Sequence, residues 1–555
     1  MAETVAEGMH GEAGDTTPMR TVVAASCSST AFEWYDFFIF GNLIQIISKT
    51  FFAELGPTAG LIAALALFGV GFAFRPLGAL IFGGLGDRIG RKAAFLITVS
   101  MMGGSTFAIG LLPTYAQAGV LAPALLIFLR IIQGTALGGQ YGGAAIYVAE
   151  HAPVNRRGYM TAWVQTSAAF GLVGALTVIF IARKVIGEDA FNSWGWRIPF
   201  FVSVGLVAIS MWMRMRLAES PTFQKMKAGG GASRAPYAEA FGQWKNLKLV
   251  LIAFFGIMCA QGAYWYTVFF YGEVFLEKFL KVDGPYANLM IMFAAMFSAP
   301  SYVFFGWLSD KVGRKWVMWF GMTLGMITLF PGYHLISQAA NPALVAAAAH
   351  SQIVVVADPA ECSVQFDPSG KAKFVTSCDI ARSALAGSGV SYRNQAGPAG
   401  SLAHVMIGQT RLEVGDGRGL PAPKLKALTS DFGARLAAAL TKEGYPSKSD
   451  PAQRNPILLL AVLAVFTIAA TALYGPMAAA LAELFPARIR YTALSLPYHL
   501  GAGWIGGFQP VASFAIVVAT GDIYAGLWYP VAFTAVSVVC AIFLLPEMRG
   551  RSLEA

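Results

Sequence analysis

The chain of 555 residues is 56% apolar and 13% charged, against roughly 45–50% and about 25% in an ordinary soluble protein. This composition excludes a water-soluble globular fold and indicates a membrane protein. The formal net charge of +10 does not indicate a nucleic-acid partner, because the cations are spread over alternate loops. Residues 1–20 carry four carboxylates without an apolar core, so we interpret them as a disordered cytosolic tail rather than a signal peptide.

Twelve apolar runs follow, each long enough to cross a bilayer, which takes about 20 residues. They cover residues 22–48, 58–82, 93–112, 119–147, 159–182, 196–214, 248–272, 286–308, 316–337, 456–479, 492–516 and 526–546. These runs predict an all-α polytopic membrane protein with six helices in residues 21–214 and six in 248–340 and 453–546. Lys and Arg concentrate in alternate loops, and the positive-inside rule then places the tail, the central loop 215–247 and the C-terminal residues 547–555 in the cytosol.

A duplicated motif relates the two halves. Residues 83–92 (GGLGDRIGRK) recur as residues 306–315 (GWLSDKVGRK), and Glu150 with Arg157 recurs as Glu483 with Arg490. The first repeat is offset by 223 residues (83 to 306) and the second by 333 (150 to 483). About 110 residues have therefore been inserted into the second half.

The insert is predicted to occupy residues 341–452, where the apolar runs stop. Short alternating stretches around a turn at 367–370 predict a small α/β domain, and helix parity places it outside the cytoplasm. Cys362 and Cys378 flank the predicted hairpin and can form a disulfide in an oxidising compartment; the alternative is two unpaired thiols. The cysteines within the apolar runs need no functional role, because a buried thiol usually behaves as a small apolar group.

Two carboxylates and a guanidinium lie within apolar helices. Glu33 and Asp36 are three residues apart and share one face of the first helix, and Arg130 reaches a similar depth in the fourth. An ionised group at the bilayer centre costs roughly 2.5–3.5 kcal/mol, so such residues usually face a cavity. We predict that Asp36 and Glu33 couple proton movement and that Arg130 binds a carboxylate. A structural ion pair between helices is the alternative.

The duplicated motif resembles the signature loop of the major facilitator superfamily. That resemblance implies a central cavity lined by the first, fourth, seventh and tenth helices, and a cytoplasmic gate that biases the protein between two access states. The gating residues it implies are Gly83, Asp87, Arg88, Gly90, Arg91, Lys92, Glu150 and Arg157 in the first half, and Gly306, Asp310, Lys311, Gly313, Arg314, Lys315, Glu483 and Arg490 in the second.

Further motifs resemble the metabolite:proton symporter family within that superfamily. They are EWYD at 33–36, RPLG at 75–78, RIIQG at 130–134, WGWRIPF at 194–200, ESP at 219–221 and AELFP at 482–486. The resemblance implies a proton-driven permease for a compound such as α-ketoglutarate, citrate, shikimate, proline or betaine. The chain departs from the family at Gln140, which follows two glycines where the family often has a glutamate, so a proton role at that position would move to Asp36 or Glu33.

These motifs predict a secondary transporter that imports a small organic acid or zwitterion, monomeric and in the cell inner membrane, with no cofactor, metal or nucleic acid. The predicted substrate ligands are Arg130, Gln133, Gln140, Gln261, Tyr264 and Arg75, although Arg75 can equally serve the gate or the fold. An enzyme is not expected, since the sequence has no phosphate-binding loop, metal-spaced histidines or nucleophile elbow. An exporter or exchanger remains an alternative, as does a sensor that uses the insert as an ectodomain.

Overall fold

A computed structural model of the protein describes residues 18–52, 64, 67, 69–216, 219–229, 233, 235–363 and 375–553. Its main body is a bundle of twelve long helices in two halves. In chain order they span Met19–Asn42, Gly69–Ile89, Arg91–Leu111, Leu121–His151, Arg157–Ile186, Ile198–Met215, Trp244–Phe279, Gly284–Val312, Arg314–Ala340, Pro456–Leu484, Arg490–Thr520 and Ala525–Phe543. Each predicted apolar run thus corresponds to one helix, which confirms the predicted fold class.

The outer surface of the bundle is apolar. Among the described residues, ten of the twelve helices are long and apolar enough to cross a membrane. The two helices outside this count are the first, which carries Glu33 and Asp36, and the ninth, which is 27 residues long. Large apolar side chains cover the outside, with Phe170 60% exposed, Ile327 64% and Phe543 78%. Such surface is stable against lipid, where all backbone polar groups must be paired within the helices.

Local chemistry sets several helix boundaries. Asp283 caps the eighth helix, and its carboxylate accepts a hydrogen bond from the Tyr286 backbone N–H at 3.2 Å. Asn455 caps the tenth helix in the same way, by accepting from the Leu458 backbone N–H. Gly90 and Gly313 separate consecutive helices with φ of +121° and +117°. Only glycine adopts such angles without strain, which accounts for the glycine at the matching place in both motif copies.

The seventh and eleventh helices depart from regular α-helical geometry. The seventh contains three π-helical segments, Phe254–Met258, Thr267–Tyr271 and Phe275–Phe279, and the eleventh contains one, Leu500–Gly506. Such segments are uncommon and often lie at functional sites. Both helices border the space between the halves.

The insert contains a four-stranded sheet and helices, as predicted. Strands β1 (Ile353–Ala357), β2 (Arg393–Ala396), β3 (His404–Ile407) and β4 (Thr410–Glu413) lie in the order β2-β1-β3-β4, with β1 and β2 parallel and the other pairs antiparallel. Helices Pro342–His350, Ser377–Gly387 and Ala422–Lys442 accompany the sheet. The predicted hairpin falls mainly on 364–374, outside the described residues. Cys362 and Cys378 are joined by a disulfide.

The insert is attached to helices of the second half. The Tyr392 backbone N–H donates to the Gly521 carbonyl at 2.7 Å, and its hydroxyl donates to the Val518 carbonyl at 2.5 Å. Lys281 Nζ, at the end of the seventh helix, donates to the Pro446 carbonyl at 3.1 Å. The insert therefore covers the ends of the seventh and eleventh helices.

Candidate functional site

We call the end of the bundle that carries residues 83–92 and 306–315 the motif end, and the opposite end, which carries residues 341–452, the insert end. A cavity of about 1800 Å³ lies between the two halves on the insert-end side. Its rim includes Lys49 and the ion pair between Arg183 and Glu188, whose charged atoms are 3.1 Å apart. These exposed residues show that the cavity reaches the insert-end surface.

The inner end of the cavity is aromatic. Phe37, Phe72, Trp265 and Tyr302 line it, and the Trp265 indole N–H donates to the Tyr302 hydroxyl at 2.9 Å. The Phe37 and Phe72 rings are 5.5 Å apart in an edge-to-face arrangement, and Phe72 also meets Tyr266 of the other half at 5.8 Å. This aromatic floor joins the two halves and closes the cavity toward the motif end.

Arg75 lies against the aromatic floor rather than in the cavity. Its guanidinium carbon is 4.3 Å from the Phe72 ring centroid and 5.8 Å from that of Phe37. The residue is 7% exposed. A cation over an aromatic face is stabilised by the ring quadrupole, so this position supports the floor.

Asp36 and Arg130 are joined by a chain of hydrogen bonds. The Thr106 hydroxyl donates to Asp36 Oδ2 at 2.9 Å, and Gln133 Nε2 donates to Thr106 Oγ1 at 2.7 Å. Arg130 Nη1 donates to Gln133 Oε1 at 2.9 Å, while its guanidinium carbon lies 4.0 Å from the centroid of the Phe40 ring. Asp36 and Arg130 are each 4% exposed. The predicted pair is thus connected through a threonine and a glutamine inside the first half.

The other predicted substrate ligands are also buried. Gln140 and Gln261 are 3% and 2% exposed, and the side-chain oxygen of each has no hydrogen-bond partner among the described residues. The Tyr264 hydroxyl donates to the Phe466 carbonyl at 3.4 Å. Neither the proton-coupling pair nor the six predicted substrate ligands is among the described residues that line the cavity in this conformation. They form layers beside and beneath its floor.

The acidic residues of the duplicated motif cap helices of the opposite half. Asp87 accepts from the Tyr491 and Thr492 backbone N–H groups at 3.2 and 2.8 Å and from the Thr492 hydroxyl at 2.8 Å. Asp310 accepts from the backbone N–H groups of Gly158 and Tyr159 at 2.9 and 2.7 Å. Each carboxylate sits at a helix N-terminus, where the free N–H groups and the helix dipole favour an anion.

Buried ion pairs reinforce the contact that the first copy of the motif makes with the other half. Arg91 Nη1 is 3.0 Å from Asp87 Oδ1, and Arg91 Nη2 donates to the Ala487 carbonyl across the halves at 2.8 Å. Glu150 pairs with Arg490 of the other half at 2.6 Å. Glu150 also accepts from the Ser220 hydroxyl.

The second copy of the motif has the matching ion pairs. Arg314 Nη1 is 2.6 Å from Asp310 Oδ1, and Arg314 Nε is 3.1 Å from Glu483 Oε2. Glu483 also pairs with Arg157 of the first half at 2.7 Å. The two sets are related by the internal duplication, and together they join the halves at the motif end.

Glycines allow the halves to approach closely there. A Cβ added to Gly83 would come within 2.9 Å of the Thr492 Cα, and one added to Gly306 would lie 2.4 Å from the Ala162 Cβ and 2.6 Å from the Gly158 carbonyl oxygen. Both positions pack helix against helix across the interface between halves. Any larger residue would force the halves apart.

The remaining cations of the motif lie on the outside. Lys92 Nζ donates to the Met215 carbonyl at 2.9 Å, and Lys315 Nζ donates to the Ile542 carbonyl at 2.8 Å. A cation near a helix C-terminus is favoured by the helix dipole. The guanidinium of Arg88 lies over the Tyr237 ring and the ammonium of Lys311 over the Trp307 ring.

Two further carboxylates lie at this end: Glu219, which belongs to the ESP motif but was given no role from the sequence, and Glu547, which the sequence reasoning missed. Glu219 accepts from the Lys92 backbone N–H at 3.2 Å, and Glu547 accepts from the Arg314 backbone N–H at 2.8 Å. Both follow the last helix of their half, so they are a third pair in the duplication. Their offset, close to that of Glu150 and Glu483, was the signal that could have identified them.

Two six-helix halves around a central cavity, sealed at one end by repeated contacts, are the architecture of a secondary transporter. A sequence model described as Major Facilitator Superfamily matches residues 27–357, and one described as Sugar (and other) transporter matches residues 432–555. The chain belongs to the major facilitator superfamily and, within it, to the metabolite:proton symporter family. Both matched descriptions are of membrane transporters.

Relatives and solved structures agree with this assignment. The chain is 35% identical over 338 residues to the glycine betaine/proline/ectoine/pipecolic acid transporter OusA of Dickeya dadantii and 34% identical over 336 residues to the proline/betaine transporter of Escherichia coli K12. Each match covers 58% of this chain and 66% of the relative, just under two thirds. The shikimate transporter of Escherichia coli K12 is 33% identical, with 61% of this chain and 79% of the relative covered. A double-tryptophan mutant of XylE shares the fold at a TM-score of 0.64, with 16% identity and 97% and 98% of the two chains covered.

Proposed function

We propose that the chain imports a small carboxylate or zwitterion across the cytoplasmic membrane by proton symport with alternating access. The observation that carries the proposal is the buried hydrogen-bonded chain from Asp36 to Arg130. Such charges are costly inside a membrane helix and usually serve an ion or substrate pathway. In this chain of groups Asp36 holds the coupled proton and Arg130 responds to the substrate carboxylate.

Coupling follows from the geometry of that chain. The Thr106 hydroxyl donates a hydrogen bond to Asp36 and accepts one from Gln133. A change of charge at Asp36 therefore alters the hydrogen bonds of every member of the chain as far as Arg130. Protonation of Asp36 weakens the hydrogen bonds that link it through Thr106 and Gln133 to Arg130. Arg130 is then available to a substrate carboxylate. Substrate and proton then stabilise the same state, which is the requirement for symport.

The aromatic floor supports a substrate that also bears a cationic nitrogen. Phe37, Phe72 and Trp265 offer ring faces and edges to the cavity, and aromatic rings attract ammonium groups by roughly 0.5–2 kcal/mol each. The compounds named for the relatives, such as betaine and proline, combine a carboxylate with a nitrogen centre. A zwitterion therefore suits this cavity better than a tricarboxylate.

Charge placement supports the orientation. The cations of residues 83–92 and 306–315 lie at the motif end, which the positive-inside rule assigns to the cytoplasm. The cavity and the insert then face the opposite side, and the conformation described here is outward-facing. We propose that one chain is a complete transport unit, since the cavity lies between the halves of a single chain.

Uptake by purified protein in liposomes tests the proposal. With a high internal and a low external pH, the protein should accumulate one class among betaines, proline-like amino acids, shikimate-like acids, dicarboxylates and tricarboxylates. A protonophore should abolish the accumulation. Exchange of labelled for unlabelled substrate that ignores the pH gradient would replace proton symport by an exchange mechanism, and transport of none of the panel by folded protein would refute the substrate class.

A further inference from the structure

A second buried guanidinium lies outside the Asp36 and Arg130 chain. Arg214, in the last turn of the sixth helix, is 4% exposed. Its Nε donates to the Ser29 hydroxyl at 2.7 Å, and its guanidinium carbon is 3.1 Å from the centroid of the Phe95 ring. Its Nη2 is buried and has no hydrogen-bond partner among the described residues. A buried charge without an ionic partner costs several kcal/mol, so a partner is expected in some state of the protein.

Glu33 is placed to be that partner. Ser29 and Glu33 are four residues apart in the first helix, so their side chains leave the same face about 5–6 Å apart. Arg214 already contacts that face at Ser29. Glu33 is half-buried and already interacts electrostatically with Arg214, but within the described part of the chain the two side chains do not form a direct ion pair. A change of rotamer at either residue, or a small shift of the sixth helix, would bring the two charges together.

The order of these groups along the bundle gives the contact a direction. The first helix runs from the motif end to the insert end, because the second leads to the motif at residues 83–92. Phe37, at the cavity floor, is one turn of the first helix beyond Glu33 toward the insert end. Arg214 lies one turn from Glu33 in the opposite direction. Glu33 therefore stands between the cavity and Arg214.

The charged and titratable groups around the two residues leave few alternative partners. The groups that interact electrostatically with Glu33 or Arg214 are Cys27, Asp36, Arg75, Tyr141, Tyr147, Tyr491 and Tyr498. The thiol and the phenols are neutral at physiological pH, and Asp36 is engaged by Thr106. Glu33 is thus the one carboxylate of this set that is free to reach Arg214.

We propose that Arg214 is a positioning residue for proton release, receiving the Glu33 carboxylate when the motif end opens. This inference rests on the proposed proton symport. In the outward-facing state Asp36 holds the coupled proton, which then passes from the Asp36 carboxyl group to the Glu33 carboxylate, one turn away on the same face of the first helix. After the motif end opens, the O–H bond of the Glu33 carboxyl group breaks, the proton passes to water on that side, and the remaining carboxylate pairs with Arg214. The pair prevents the same proton from being recaptured until the cavity faces outward again.

Transport by Arg214→Gln tests the inference, with two measurements on the same liposomes. Uphill accumulation driven by a pH gradient should fall at least tenfold, while counterflow exchange of labelled substrate at equal pH should stay within about threefold of the parent. Arg216→Gln is the matched control, because Arg216 is two residues away, exposed, and stacked on Trp212. The control should keep both activities.

Two more variants guard against a folding defect. Arg214→Lys keeps the charge without the planar fork, and it should retain accumulation with a pH midpoint shifted from that of the parent. The double variant that combines Glu33→Gln with Arg214→Gln should still exchange labelled substrate but should not accumulate it. Parental accumulation by Arg214→Gln, or an unchanged pH profile in Arg214→Lys when the Gln variant does not fold, would overturn the inference alone. A parent that shows no proton-driven accumulation would overturn it together with the proposed symport.

Discussion

Neutralising Asp87 should open the motif end. In the structure this carboxylate accepts three hydrogen bonds from residues 491 and 492 of the other half and pairs with Arg91. An asparagine retains one acceptor oxygen and loses the charge. A hydrogen bond to a charged group contributes about 1.5–3 kcal/mol, and a charge at a helix N-terminus about 0.3–2 kcal/mol. Asp87→Asn should therefore destabilise the closed motif end by about 2–5 kcal/mol.

That loss converts into a measurable change of population. Each 1.4 kcal/mol is a factor of ten in an equilibrium constant, so the ratio of motif-open to motif-closed protein should rise about 30-fold to 4000-fold. Ser495 is fully buried between the halves, next to Gly142. We would introduce Ser495→Cys in a protein that lacks the free cysteines Cys27, Cys259 and Cys540, and measure its alkylation rate by a polar thiol reagent. The rate should rise with Asp87→Asn.

Matched variants make this result interpretable. Asp310→Asn removes the equivalent cap on the fifth helix and should act in the same direction. Arg216→Gln removes an exposed cation at the same end of the bundle, where Arg216 stacks on Trp212, and should leave the rate within about threefold. An unchanged rate in a folded Asp87→Asn variant would refute the assignment of these contacts as the gate.

Further outcomes are expected at other positions. Asp36→Asn should abolish uphill accumulation but preserve exchange, and retained accumulation would remove Asp36 from coupling. Arg130→Lys should raise the half-saturation concentration of a carboxylate substrate about tenfold, since Lys lacks the bidentate fork; an unaltered value would exclude direct contact. Replacing residues 341–448 by a short linker should leave a working transporter if the insert is an accessory, whereas loss of transport by a folded deletion would make it part of the mechanism. Alkylation of unreduced protein should miss Cys362 and Cys378, and labelling of either would disprove the disulfide.

The duplicated motif shows how far the sequence reasoning reached. The repetition of residues 83–92 and 306–315 predicted the two halves and marked Asp87 and Asp310 as equivalent residues of the gate. An acidic residue beside a short loop between helices can cap a helix start. The sequence does not show which helix. The cap of Asp87 lies more than 400 residues away in the chain, and only the packing of the halves brings the eleventh helix to it.

The cavity was less accessible to prediction. Depth along the helices associated Asp36 with Arg130, but the sequence gives no signal that Thr106 and Gln133 connect them by hydrogen bonds. Trp265 and Phe72 resemble ordinary packing residues in apolar helices. Their exposure to the cavity depends on the angle between the halves, which periodicity within one helix does not determine.

The attachment of the insert has a mechanical consequence. It leaves and re-enters the bundle between the ninth and tenth helices, and its recorded hydrogen bonds reach Gly521, Val518 and Lys281, all in the second half. Rocking of one half against the other would carry this domain as a lever arm outside the bilayer. A turn of a few degrees at the aromatic floor becomes a displacement of several ångströms at its far edge. The insert is thus a natural place for a spectroscopic label that reads the transport cycle without touching the pathway.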